Sequence, residues 1–115
     1  MHHPPYTVNY DKGGHVSKET PRLVPMFEKY KVTAVFAGHD HNYQRHVKNG
    51  IQYIVTGGGG APLADTGQSL PGMTEKVEST EHFVPVKVAG NRAHIQAIAL
   101  DGHIIDTVDV GGTAP

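Results

Sequence analysis

One short apolar run stands out in the pattern of hydrophobic and polar positions. Residues 32–37 (VTAVFA) contain β-branched and aromatic side chains and little that is polar. This composition predicts a strand that is buried on both faces, as in a parallel sheet. Gly38 ends the run, and His39 and His41 follow at once. We therefore expect both histidines at the carboxyl end of a buried strand, where open α/β sheets place their ligands.

Further strands are predicted after this run. Residues 51–56 (IQYIVT) form a strand that begins after the turn-forming pair Asn49 and Gly50. Residues 64–79 are polar and without periodicity, which predicts a loop. From residue 82 onward the pattern is that of an antiparallel meander. Its predicted strands and turns are residues 83–88, the turn at 90–91, residues 93–100, the turn at 101–102 and residues 104–110.

A short helix is predicted before the apolar run. Thr20 and Pro21 are typical of an N-cap and a first helical position. The regular helix is expected over residues 24–30, after a loose first turn, because Pro25 lacks an N–H. Its apolar face is predicted from helical spacing to contain Leu23, Met26, Phe27 and Tyr30.

Length and composition limit the classes of protein to which this chain can belong. The 115 residues allow one domain, and 14 glycines and 8 prolines indicate many turns. A net charge of −1 without a basic cluster gives no indication of nucleic acid or of an anionic membrane as partner. The chain has no cysteine, which excludes disulfides and cysteine-based zinc sites. We expect a soluble chain without a membrane span or a leader, and no compartment is indicated.

The histidines are the candidates for chemistry. On extended backbone, His39 and His41 can face the same side and share a metal ion. His2 and His3 precede two prolines, which fix the backbone and could aim either imidazole. The residues alone leave the alternatives open, since a chain with nine histidines can carry some of them as surface residues or on a frayed terminus.

Two other features are weaker signals. The glycines at 57–60 can bring backbone N–H groups to an anion or can form a flexible connector. No GK[ST] sequence follows them, so a nucleotide P-loop is rejected. His82, His94 and His103 fall among ordinary half-exposed positions of the predicted meander, and we assign them no chemistry.

Three segments, taken together, resemble one protein family. They are residues 2–6 (HHPPY), residues 38–45 (GHDHNYQR) and residues 53–60 (YIVTGGGG). In this order and spacing they are similar to the carboxyl-terminal half of calcineurin-like metallophosphoesterases, nearest the purple acid phosphatase-type branch. The resemblance includes the predicted helix and the closing strands, and it covers nearly the whole chain.

The resemblance implies an α/β fold, in which residues 1–115 are one partial domain. That domain would be half of a four-layer αββα sandwich, with a short helix and a C-terminal antiparallel meander. It also implies metal ions (Zn, Fe or Mn), two in the parent family, that activate a water for attack on a phosphate ester. By this likeness His2 and His39 hold one ion and His41 holds the other. His15 is implied to act on the scissile phosphate as an acid or an orienting group.

Other residues of the matched segments are implied to support the site. His3, Tyr43 and Arg45 would support substrate binding or the ligands, and Asp40 would point away from the metals and act structurally. Phosphate or a phosphate ester is the implied partner.

The chain lacks the motifs of the family's amino-terminal half. The D-x-H or D-x-G, G-D and G-N-H segments would supply carboxylate and Asn ligands and the leaving-group histidine. G-D and G-N-H do not occur here, and the D-x-G triplets (residues 11–13, 65–67 and 109–111) and the D-x-H triplet (residues 101–103) lie outside the context of those motifs. We therefore expect a fragment with one metal ion or none. We also expect a homo-oligomer, with exchanged elements as one arrangement, because a monomer would expose apolar faces. Two predictions remain open: a metal-dependent phosphatase or phosphodiesterase, and an inactive metal-binding or purely structural β-rich chain.

Overall fold

The computed structural model of the chain describes residues 1–8 and 19–111. It is α/β, as predicted, with one short helix and two sheets. A 3₁₀ turn at Thr20–Leu23 leads into helix α1 (Val24–Lys29). The strands are β1 (Ala34–Ala37), β2 (Tyr43–Lys48), β3 (Ile51–Thr56), β4 (Thr74–Glu78), β5 (His82–Phe83), β6 (Val86–Ala89), β7 (Arg92–Ala99) and β8 (Ile104–Gly111). No described helix has the length and apolar character needed to cross a bilayer.

The first sheet has the strand order β1-β3-β2-β4. β1 runs parallel to β3, whereas β2 is antiparallel to both of its neighbours. The β2–β3 hairpin turns at Asn49 and Gly50, whose φ angles are 49° and 78°, as a tight two-residue turn requires. β3 confirms the predicted strand at 51–56. It is paired on both edges, so Ile51, Tyr53 and Ile54 are almost fully buried.

The second sheet is the predicted meander, with β7 at its centre. β8 pairs with one edge of β7, while β5 and β6 pair with the other. β5 and β6 keep one register against β7 and are separated only at residues 84–85. The predicted strand at 83–88 is therefore interrupted, because Pro85 has no N–H to donate. The Pro85 carbonyl still accepts a hydrogen bond from the Gln96 N–H (3.2 Å).

The sheets and the helix form three layers. One core lies between the two sheets and contains Tyr43, Ile54, Ile95, Ala97, Ala99, Ile105 and Val110. A second core lies on the other face of the first sheet, where Phe27 of α1 packs against Val35, Ile51 and Tyr53. The first sheet is thus covered by the helix on one face and by the second sheet on the other.

The regular helix begins at Val24 after an irregular first turn, as predicted, but its N-cap residue and its apolar face differ from the prediction. Glu19, not Thr20, is the N-cap residue of the 3₁₀ turn, and Thr20 is buried. Pro25 lies in the first turn of α1, where no backbone N–H is needed. The predicted apolar face is largely exposed, at 37% for Leu23, 48% for Met26 and 68% for Tyr30. A helix of six residues turns only a narrow stripe, chiefly Val24 and Phe27, toward the sheet.

Two strand predictions are also wrong. β1 is buried on one face only: Val35 and Ala37 are buried, but Phe36 is 36% exposed. The reason is that β1 is an edge strand and the core between the sheets is built over β2 and β3. The predicted loop at 64–79 contains β4, which pairs with β2. Its sequence is mostly polar because the strand is only half-buried at the sheet edge.

Candidate metal centre

The candidate site lies just beyond the carboxyl end of β1. His39 follows Gly38 with a φ of 66°, in the left-handed region that few non-glycine residues adopt. Two short turns follow, in which the Asp40 N–H donates to the Gly38 carbonyl (2.7 Å) and the Asn42 N–H donates to the Asp40 carbonyl (2.9 Å). This backbone path places Nδ1 of His39 3.2 Å from Nε2 of His2.

Residues 1–2 are fixed beside β1 by backbone hydrogen bonds. The amino group of Met1 donates to the Phe36 carbonyl (2.9 Å), and the Gly38 N–H donates to the His2 carbonyl (2.9 Å). Pro4 and Pro5 are buried and continue the segment as rigid backbone. The terminal segment is therefore held in place, and the frayed-terminus alternative does not describe these residues.

Three histidines meet at this point. Within residues 1–8 and 19–111, one group of three potential metal ligands occurs, namely His2, His3 and His39. Their candidate donor atoms all lie within 4.8 Å of one another. Desolvation lowers the pKa of His3, and the neighbouring His39 and His2 imidazoles lower it further. A lowered pKa favours the neutral imidazole, which is the form that binds a metal.

His41 lies outside this group of three. Its Nδ1 is 2.8 Å from the Pro62 carbonyl, and because a carbonyl can only accept, Nδ1 carries the proton. Nε2 is then left with its lone pair, the arrangement typical of metal-ligating histidines. The His41 carbonyl also accepts from the Ala64 N–H (3.0 Å), so residues 62–64 hold this ligand candidate on two sides. Its assignment to a metal ion remains a prediction.

Close backbone packing positions the turn that carries His39 and His41. The Gly57 N–H donates to the Asn42 carbonyl (3.1 Å), and a Cβ at Gly57 would clash with the Asp40 carbonyl. A Cβ at Gly58 would clash with the His82 ring, whereas one at Gly59 or Gly60 would meet nothing within 4 Å. Packing thus requires glycine at positions 57 and 58. Neither of the two predictions made for this run, an anion-binding site and a flexible connector, included this requirement.

A buried polar network lies beneath the site and was not predicted. The Gln44 Oε1 accepts from the Val8 N–H (2.8 Å) and from Nε2 of His46 (2.8 Å). The Gln44 amide donates to Oγ1 of Thr7 (3.2 Å) and to Oδ1 of Asn42 (2.8 Å). Gln44 is fully buried, and these four bonds use its whole hydrogen-bonding capacity. Gln44 therefore ties the segment that carries His2 and His3 to the strand that follows the His39 turn.

His46 and Asp40 extend this network. Because Nε2 of His46 donates to Gln44, Nδ1 must accept, and it does so from Thr74 (2.9 Å). Burial lowers the pKa of His46 to about 4, so the ring is neutral at pH 7. Asp40 is buried and accepts a hydrogen bond from Thr7. The only sequence signal for this network is the alternation of polar side chains at 42, 44 and 46.

The remaining histidines have structural partners. His82 is buried, contrary to the prediction of a half-exposed position. Its Nδ1–H donates to the Thr80 carbonyl (2.8 Å) and its Nε2 accepts from Thr56 (2.9 Å). His94 pairs with Asp109 (2.6 Å) and His103 with Glu78 (2.7 Å) on the surface. The predicted acid His15 lies outside the described residues.

Tyr43 and Arg45 are directed toward the second sheet, where both bind Asp106 of β8. Oη of Tyr43 donates to Asp106 (2.7 Å), and Nε of Arg45 donates to the same carboxylate (2.6 Å). Desolvation and the hydrogen bond to Asp106 raise the pKa of Tyr43 far above its ordinary value. Both side chains thus join β2 to β8.

Comparison with known proteins adds the fold relationship. The sequence matches no protein-family model and none of the curated proteins. The structure is similar to the purple acid phosphatase PPD1 from yellow lupin (Lupinus luteus) seeds, with a TM-score of 0.81 and 23% identity. The fold is purple acid phosphatase-like. It is also similar to GAP50, the anchor in the inner membrane complex of Plasmodium, with a TM-score of 0.83 and 18% identity.

These similarities extend over nearly the whole chain but over a minor part of each neighbour. They cover 95% of this chain and 24% of the lupin phosphatase, and 98% of this chain and 35% of GAP50. The predicted likeness to a purple acid phosphatase-type fold is therefore confirmed at the level of the fold. Identities of 23% and 18% carry no assignment of activity.

Proposed function

We propose that this chain provides part of the metal centre of a metal-dependent phosphoester hydrolase. The supporting observation is the distance of 3.2 Å between Nε2 of His2 and Nδ1 of His39, two residues that are 37 positions apart. Two nitrogens that bind one tetrahedral zinc ion at 2.0–2.1 Å each are separated by about 3.3 Å. The two imidazoles thus already have the spacing of ligands to a single ion.

The donor chemistry agrees with such an ion. Neutral imidazole nitrogens suit Zn, Fe and Mn, and His41 offers a free Nε2 for a second ion. When bound, such ions act as Lewis acids and neutralise charge on a phosphate. The chain itself holds its ligands in position through the bonds from Gly38 to His2 and from His41 to Pro62.

A substrate can reach these residues from solvent. His2 is exposed, and His3 and His39 are half-buried. A groove beside the histidines is lined by Thr20, Arg22 and Leu23 as well as by His2 and His3. We propose a phosphate ester as substrate, which the metal charge would attract, and residues 1–115 as one part of a larger phosphoesterase domain.

The carboxylates of a two-metal site are the missing component. Among the described residues, no Asp or Glu belongs to the histidine group, and the Asp40 carboxylate is hydrogen-bonded to Thr7. This all-imidazole composition favours a second candidate function, a metal-binding chain without hydrolytic activity. The two candidates share the metal site and differ in whether a further chain segment or a second copy supplies a carboxylate.

The test is metal content followed by turnover. Elemental mass spectrometry of the purified protein is expected to find about one metal ion or more per chain, lost in the His2→Ala and His39→Ala variants. Hydrolysis of a chromogenic phosphate ester with added Zn²⁺ or Mn²⁺ then separates the two candidates. Activity that survives in the His39→Ala/His41→Ala variant would come from a contaminant. Absence of any bound metal in the folded protein would refute both candidates.

A further inference from the structure

We infer that His3 is a third ligand of the ion held by His2 and His39, which makes a three-histidine site with one open coordination position. The inference rests on the proposed function and adds a ligand to it. The sequence resemblance gives only the first histidine of the HHPP segment to a metal, so His3 had only a supporting role there.

The geometry of the three rings carries this inference. The His3 ring centroid lies 4.3 Å from that of His39 and 4.7 Å from that of His2, whereas His2 and His39 are 5.1 Å apart. His3 is thus closer to each of its partners than they are to each other. All candidate donor atoms lie within 4.8 Å of one another, so three nitrogens are near enough to converge on one ion through side-chain rotation alone in the arrangement that we infer.

The backbone keeps the three residues together. The Gly38 N–H binds the His2 carbonyl, and Gly38 directly precedes His39. On the other side of His3, Pro4 and Pro5 are buried and restrict the preceding residue to extended backbone. The backbone is therefore fixed on both sides of His3, at His2 and at Pro4, and this keeps His3 opposite His39. Little conformational freedom is then lost when an ion binds.

Three imidazoles and an open position are a known pattern for zinc. Structural zinc sites are closed by four protein ligands, whereas catalytic ones have three and leave the fourth to water or substrate. Because no carboxylate belongs to the group within residues 1–8 and 19–111, the ligands would leave the full charge of the ion uncompensated. The open position would then favour an anion, such as inorganic phosphate.

The alternative is that His3 only stacks on His39. Their rings are tilted by 42°, and such a contact would contribute to packing without binding the ion. The two explanations differ in one measurable quantity, the affinity for a tetrahedral metal after removal of the His3 imidazole.

The experiment is a titration of the full chain with Co²⁺ at pH 7.5, monitored by visible absorption, which reports tetrahedral coordination. A competition titration with Zn²⁺ then gives the zinc affinity. His3→Ala is expected to weaken binding by more than about 100-fold, because loss of even an outer-shell partner costs about 10–100-fold. His3→Gln keeps a side chain of similar length but has no imidazole, and it is expected to weaken metal binding to a similar extent. The matched control is His94→Ala, an exposed histidine on β7, which should bind as the wild type does.

Each outcome has one meaning. Loss of affinity in both His3 variants, with unchanged circular dichroism, supports the three-histidine site. Wild-type affinity in both, with loss in His2→Ala and His39→Ala, overturns the inference and leaves the proposed function intact. No binding by the wild-type chain refutes the inference and the proposed function together. Addition of inorganic phosphate should shift the Co²⁺ spectrum of the wild type, and an unchanged spectrum would contradict the open position.

Discussion

Arg45 and Asp106 form a two-point ion pair that joins the two sheets. Nε of Arg45 donates to Oδ2 of Asp106 (2.6 Å), and Nη2 donates to Oδ1 (3.2 Å). The side chains are only 14% and 10% exposed. Burial by itself would raise the pKa of Asp106, but the hydrogen bonds from Arg45 and Tyr43 outweigh it and hold this pKa below its ordinary value. The carboxylate is therefore charged and paired at neutral pH.

Breaking this pair from one side is expected to destabilise the protein strongly. Arg45→Met should lower the free energy of unfolding by about 3–5 kcal/mol, because it leaves a buried carboxylate without its cation. The double variant Arg45→Met/Asp106→Leu should recover much of this loss. Urea denaturation provides the measurement, with Arg22→Met as control, since its pair with Glu19 is exposed and contributes little. Equal effects of Arg45→Met and Arg22→Met would contradict the prediction.

His46 is expected to make the fold sensitive to acid. Its pKa of about 4 in the folded protein lies below the ordinary value of 6.5. As pH falls from 6.5 to about 4, the unfolded chain gains a proton at this ring and the folded chain does not, so stability decreases. Thermal unfolding between pH 7 and pH 4 should show this slope. His46→Gln, whose amide can still donate to Gln44 and accept from Thr74, should flatten it, whereas His94→Gln should not.

His103 titrates with the opposite sign. Hydrogen bonds to Glu78 and Asp101 raise its pKa, so its contribution to stability is present below pH 6.5 and is lost as pH rises through the folded pKa. The ring is exposed, which makes this effect small compared with that of His46. Thermal unfolding at a series of pH values is the measurement. A maximum of stability against pH that disappears in His103→Ala would show that the surface pairs of His103 outweigh the effect of His46.

The glycine run offers a matched pair of variants. Gly57→Ala should displace the turn at residues 38–42, because the new methyl group would clash with the Asp40 carbonyl. It is expected to reduce Zn²⁺ affinity as well as thermal stability. Gly59→Ala, which meets nothing within 4 Å, should change neither. Calorimetric titration with Zn²⁺ distinguishes the two variants, and equal affinities would show that the turn does not position the ligands.

Gln44 is expected to be a positioning residue for the terminal segment. Gln44→Met leaves the Val8 N–H and Nε2 of His46 without partners, at a cost of about 1–3 kcal/mol for each buried group. Amide hydrogen exchange should show loss of protection at Val8 in this variant before the core of β3 opens. Unchanged protection at Val8 would show that the segment is held without Gln44.

The exposed apolar side chains predict self-association. Phe36 of the edge strand β1 is 36% exposed, and Met26 and Tyr30 of α1 are 48% and 68% exposed. Phe36 lies on the face of β1 opposite the one that α1 covers, so these side chains form two separate exposed apolar sites, and a second copy of the chain would remove them from water. We expect light scattering to give a mass of two chains or more, and Phe36→Lys to reduce it. A monomeric mass with cooperative unfolding would contradict the predicted oligomer.

The sequence by itself determined the local features of this protein. Asn49 and Gly50, and likewise Asp101 and Gly102, specify hairpin turns through their conformational preferences, and short runs rich in apolar, β-branched residues between these turns specify β3, β7 and β8. The end of β1 at Ala37, just before Gly38, followed from the apolar run and from the glycine. These features depend on residues that are neighbours in the chain, so a pattern in the sequence is sufficient to predict them.

Only the tertiary structure decided which faces are covered and which side chains meet. The burial of Gln44, His46 and His82, and the exposure of Phe36, depend on what packs above each strand. The polar strand β4 exists because β2 offers it a free edge, not because of its own composition. Likewise, His3 joins His2 and His39 because hydrogen bonds to Phe36 and Gly38 hold residues 1–2 beside the end of β1. No local pattern encodes contacts between segments so far apart in sequence.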